Sequence, residues 1–120
     1  MHLLHAELLD DLRERGFAVG PGDLGENVLV RGVDLLALPT GACLQLGDAE
    51  VEVTGLRNPC VQLDRFAEGL MGAVLRTEAD GTVHRLAGVM SVVTTGGDVR
   101  TGDAVHVRLP GGPPVPLRPV

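Results

Sequence analysis

Two cysteines, four histidines and one serine are the side chains of this 120-residue chain best suited to nucleophilic or soft-metal chemistry. Cys60 stands out. It follows Pro59, precedes an apolar stretch with helical spacing, and has Arg57 and Arg65 on either side in sequence. A thiol near a helix N-terminus and close to arginine gives up its proton more readily, so it is a better nucleophile and a better soft-metal ligand. The competing reading is a buried cysteine that acts as a small hydrophobe. Cys43 sits in an alternating strand pattern without such a setting and reads as structural. His2 and His5 are spaced to share one helix face, but no third ligand follows at metal spacing, so a surface histidine pair is the plainer reading. His84 and His106 carry no motif. Ser91, the only serine, lacks the flanking glycines of a nucleophile elbow, which argues against a serine hydrolase.

A second candidate is the loop Gly20-Pro21-Gly22-Asp23-Leu24-Gly25-Glu26-Asn27. It lacks the Lys and Ser/Thr of a P-loop. Its glycines could still present backbone N–H groups to an anion, or simply satisfy turn geometry.

The elements that must position these residues follow from periodicity. Leu4, Leu8, Leu9 and Leu12 recur at helical spacing, and Gly16 stops the pattern, predicting a helix over 5–15 entered from a short strand. Val28–Val30 reads as a strand, and Leu35–Leu38 is apolar up to the Pro39-Thr40-Gly41 turn. Residues 42–46 and 50–54 alternate around Gly47-Asp48, as in a hairpin. Leu63, Phe66, Leu70, Met71, Val74 and Leu75 predict a second helix over 62–76. Residues 82–85, 87–93 and 104–109 complete the strands. Short strands joined by Gly-Asp turns, with two helices inserted, predict a barrel-like β domain. Residues 110–120 are rich in Pro and Gly and should lie extended on the surface.

Composition narrows the function classes. At roughly 150 residues per domain the chain is one domain. Ten arginines, no lysine and sixteen acidic residues give a net charge of −6, which disfavours nucleic acid and anionic membrane surfaces as partners. No apolar window is long enough to span a membrane, and the first residues do not form a signal peptide. Two cysteines are too few for a disulfide framework, so a cytoplasmic protein with reduced thiols is expected.

Taken in order, several motifs resemble a MOSC domain, the family named from the C-terminal domain of molybdenum-cofactor sulfurases. They run from Gly22-Asp23-Leu24-Gly25-Glu26-Asn27-Val28 through Arg31-Gly32-Val33-Asp34-Leu35 and Leu38-Pro39-Thr40-Gly41. Leu44-Gln45-Leu46-Gly47-Asp48, then Val53-Thr54-Gly55-Leu56-Arg57-Asn58-Pro59-Cys60, continue the pattern, and Gly96-Gly97-Asp98-Val99-Arg100-Thr101-Gly102-Asp103 resembles its closing turn. The resemblance covers roughly residues 2–109 and treats 110–120 as a tail.

It implies a mainly β (β-rich α+β), barrel-like MOSC fold with about two helices and a molybdenum cofactor (molybdopterin). In that family the cysteine of the Arg-x-Pro-Cys turn is the sulfur carrier or the molybdenum ligand, a role that falls on Cys60. Arg57, Asn58, Glu26 and Asn27 become the implied cofactor-binding residues. Related proteins reduce N-hydroxylated small molecules with electrons from a partner protein; a sulfurtransferase is the alternative partner. The chain opens where the family usually already has strands behind it, so a truncated front is expected. That in turn implies an incomplete pocket, a non-catalytic binding or assembly module as the alternative function, and an open edge suited to a homodimer.

Overall fold

Leu3 and Leu4 are both fully buried, and neighbours in a strand point to opposite faces, so β1 (His2–His5) must have protein on both sides. The computed structural model, which describes residues 1–120, builds the fold around that strand. A six-stranded sheet runs β2-β1-β7-β4-β3-β8, with β2 Val28–Val30, β3 Cys43–Leu46, β4 Ala49–Leu56, β7 Val89–Thr95 and β8 Val105–Arg108. β1 pairs parallel with β2, and the other pairings are antiparallel. The parallel pair requires a crossover, which α1 (Ala6–Glu14) provides. A separate ribbon pairs β5 (Leu75–Thr77) with β6 (Val83–Arg85).

Two apolar cores lie on the two faces. Leu4 joins Leu8, Leu9, Leu12, Leu70 and Val74 under the helices, while Leu3 joins Val30, Leu44, Leu46, Val51, Val53 and Val89 inside the curled sheet. Each fully buried Leu or Val contributes about 1.5–3 kcal/mol of transfer free energy, and with only two aromatic residues the cores depend on these aliphatics. β4 alternates strictly between buried and half-buried residues. Register shifts after Glu50 and after Val53 bend it against β7, as bulges at barrel rims do.

One element differs from expectation. The helix predicted over 62–76 is two short helices, α2 (Gln62–Phe66) and α3 (Leu70–Ala73), followed directly by β5. Ala67 leaves the helical region at φ −151° and ψ 127° and ends α2, and Gly69, left-handed at φ 82°, leads into α3. Asp64 Oδ1 then accepts the Met71 N–H at 2.9 Å, tying the first turn of α3 back to α2. The apolar spacing was real, since Leu70 and Val74 are fully buried, but two segments share it. The first and last helical and strand elements otherwise fall within a residue or two of their predicted bounds. The tail is extended and mostly exposed, yet pinned: Leu56 N–H bonds the Arg118 carbonyl, and the Val120 N–H bonds the Leu56 carbonyl.

Candidate functional site

Cys60 lies in the segment that leaves β4 for α2. Arg57 continues the β4–β7 ladder for one more bond, its N–H reaching the Gly88 carbonyl at 3.0 Å. Pro59 is buried and turns the chain, which leaves the Cys60 thiol half-buried at the wall of a cleft of about 280 Å³. Gly22, Asp23, Leu24 and Gly25 of the loop line the same cleft, together with Ala87 and the half-exposed Phe66 ring. The helix after Cys60 has only five residues, so its dipole adds little to the charge around the thiol.

The cleft brings Cys60 and Arg57 together and leaves other expected partners out. Arg57 pairs with no carboxylate. Arg65 is exposed on α2 and does not line the cleft, and neither does Arg31, which is bound to Asp10 at 2.9 Å. Asn58 is exposed and accepts a hydrogen bond from Arg85 Nε at 3.2 Å. Glu26 and Asn27 line a second, larger cleft of about 630 Å³ between the loop and residues 99–105; Gly22 is common to both.

Those two side chains hold the loop in shape. Glu26 is 9% exposed and its carboxylate accepts the N–H groups of Gly22 at 2.7 Å and Leu24 at 3.2 Å. Asn27 Oδ1 accepts the His2 N–H at 2.8 Å, and its own N–H bonds the His2 carbonyl at 2.9 Å. Gly22 and Gly25 have positive φ and open space where a Cβ would stand, so a ligand can approach their backbone.

The histidines depart from the sequence reading. His2 and His5 lie in β1, not on a helix, and three residues apart in a strand places them on opposite faces. His2 is buried and His5 partly so; no group of three metal-binding side chains forms around either. Cys43 and Cys60 do not pair.

Burial pushes both rings, His2 and His5, below the ordinary histidine pKa; carboxylates near each, and for His2 the Ala87 carbonyl, pull weakly the other way. The unfolded chain therefore takes up protons first as the pH falls through about 6.5, and the fold loses stability in that window. Carboxylates with depressed pKa values, such as Glu7 under the Gly32 N–H, matter only at more acid pH. The urea midpoint is expected to be lower at about pH 5.5 than at about pH 7.5; an unchanged midpoint would contradict the burial of the two rings.

The model of the MOSC domain matches residues 1–106. The chain belongs to the MOSC domain family. Solved MOSC-fold relatives include YiiM from Geobacillus stearothermophilus, at 22% identity and TM-score 0.73, covering 90% of this chain and 53% of that one. YiiM from Escherichia coli aligns at 19% identity and TM-score 0.69, over 96% and 57% of the two chains. The YuaD protein of Bacillus subtilis aligns at 24% and 0.71, over 89% and 62%. At these identities the likeness is one of fold, and this MOSC chain spans little more than half the length of those proteins. No protein of curated function matches its sequence.

The MOSC cleft fits part of what a molybdenum cofactor asks for. Cys60 is a soft donor with a half-buried sulfur, Arg57 is an uncompensated cation for a phosphate, and the Gly22–Gly25 backbone is open. No helix of the chain is long and apolar enough to cross a membrane.

Proposed function

We propose that this MOSC chain binds the molybdenum cofactor through Cys60 or carries sulfur on it. The observation that supports this is a single cleft holding the Cys60 thiol and the unpaired Arg57 guanidinium beneath an open glycine backbone. Cys60 would be the protein ligand to molybdenum, and Arg57 would hold the pterin phosphate. Bound there, molybdenum would supply two-electron reduction of the N–O bond of an N-hydroxylated small molecule, with electrons from a separate reductase.

In the sulfur-carrier form, the Cys60 thiolate attacks the terminal sulfur of a donor persulfide. The donor S–S bond breaks, the donor leaves as a thiolate, and a new S–S bond forms on Cys60 without net oxidation. A reducing, cytoplasmic setting suits either form, since both cysteines are free. The free edges of β2 and β8 are where a second copy would pair as a homodimer.

The test is the molybdenum content of protein made in a host that makes the cofactor. Metal is expected in the wild type and none in Cys60→Ser, whose fold should be unchanged. Absence of molybdenum from the wild type, together with no persulfide after exposure to a sulfurtransferase, would refute the reading. That outcome would favour a non-catalytic binding or assembly module, which the thin cation supply of the cleft and the internal use of Glu26 and Asn27 support.

A further inference from the structure

Behind the wall of the Cys60 cleft lies an imidazole that the proposed function does not use. His2 is 4% exposed; its Nε2 is hydrogen-bonded with the Ala87 carbonyl, and its Nδ1 is buried with no partner. The ring packs on Gly88, where an added Cβ would come within 3.1 Å of Nε2. Asn27 fixes the strand that carries it, its Oδ1 accepting the His2 N–H and its own N–H bonding the His2 carbonyl.

The surroundings of the ring are mixed in sign. The carbonyls of Ala87 and Gly25, both in the cleft wall, and the carboxylate of Glu26 favour a proton on it. Burial and the neighbouring Arg57 guanidinium oppose one. Asp23, the one carboxylate lining the Cys60 cleft, accepts the Gly20 N–H at 2.7 Å. Burial is the larger of the two opposing effects and stays when a ligand binds, so a dianion on Arg57 acts by cancelling the guanidinium's field and adding its own negative charge beside the ring.

We infer that His2 is the second cation of the Cys60 cleft: a dianion bound at Arg57 draws a solvent proton onto the buried, unpartnered Nδ1 of the ring. The ligand class is a phosphate monoester or another compact dianion. The inference rests on the proposed anion-binding role of Arg57, but not on any chemistry at Cys60. It resolves an imbalance, since a chain of net charge −6 otherwise offers a dianion one free guanidinium in this cleft. By linkage, an anion that raises proton affinity at His2 binds more tightly as the pH falls, by up to about tenfold per pH unit for one proton.

Sulfate is the probe, because it stays a dianion while histidine titrates. On the full chain, nitrogen-resolved NMR of the His2 ring is expected to show its titration midpoint moving to higher pH when sulfate is added. Calorimetry in two buffers of different ionisation enthalpy should show proton uptake, with affinity rising several-fold from about pH 7.5 to about pH 6. Arg57→Gln should abolish binding and the shift, and His2→Gln should bind weakly without pH dependence. The wild-type measurement carries the test even if His2→Gln folds poorly. Sulfate binding that leaves the His2 midpoint unmoved would overturn the inference, as would no sulfate binding at all. Failure to find molybdenum or persulfide at Cys60 would leave it standing.

Discussion

Gly88→Ala should destabilise the protein by about 3–5 kcal/mol, enough to unfold much of the population under ordinary conditions. Gly88 has φ 87°, which costs an L-residue about 1–2 kcal/mol. The larger effect is steric. A Cβ at this position would overlap the Leu3 carbonyl oxygen and crowd the His2 ring, so backbone would have to move. Three parts of the molecule meet here: β1, the start of β7, and the Arg57 turn, whose N–H bonds the Gly88 carbonyl. A shift at Gly88 therefore reaches the Cys60 cleft directly. Gly16→Ala is the control, with φ 96° and nothing near its absent Cβ, and should lose only about 1–2 kcal/mol. Urea titrations of both variants decide the matter; equal losses would mean that the Leu3–Gly88 contact is looser than described.

Glu26→Ala is expected to lose about 2–4 kcal/mol and to loosen the loop wall shared by both clefts. Two backbone N–H groups, those of Gly22 and Leu24, would lose a charged acceptor. Leu24 is itself buried in the core under α1, so its N–H has no easy recourse to water. Glu26→Gln keeps one carbonyl oxygen and should lose roughly half as much. Amide exchange at Gly22 and Leu24, measured beside a denaturation curve, reads the loop directly. An alanine variant with wild-type stability and a protected Leu24 amide would show that the carboxylate is free for a ligand after all.

Much of the fold was legible because the signals were local. Leu4-Leu8-Leu9-Leu12 on α1 and the buried/half-buried alternation of β4 are periodicities that each element shows on its own. The split of the second helix was harder to read. Its apolar spacing carries through the break, and only the extended Ala67, the left-handed Gly69 and the Asp64–Met71 bond reveal it. Cys60 and Arg57 were legible as a motif, and the fold sets both at one cleft. Glu26 and Asn27 were found by the same route, but a motif does not tell whether a polar side chain faces outward or folds its own loop. His2 was missed because its burial depends on Gly88 and Ala87, some 85 residues away in sequence. No periodicity records such a contact.

Cys43 and Cys60 offer an internal comparison, since both are half-buried and unpaired. Cys43 faces the Gly41 carbonyl from a strand, while Cys60 faces a cleft with a free guanidinium. Access is similar, so a difference in rate reports chemistry. Iodoacetamide labelling near neutral pH, read residue by residue by mass spectrometry, should modify Cys60 about tenfold faster than Cys43. Equal, slow labelling of the two would make both cysteines structural and contradict the role given to Cys60.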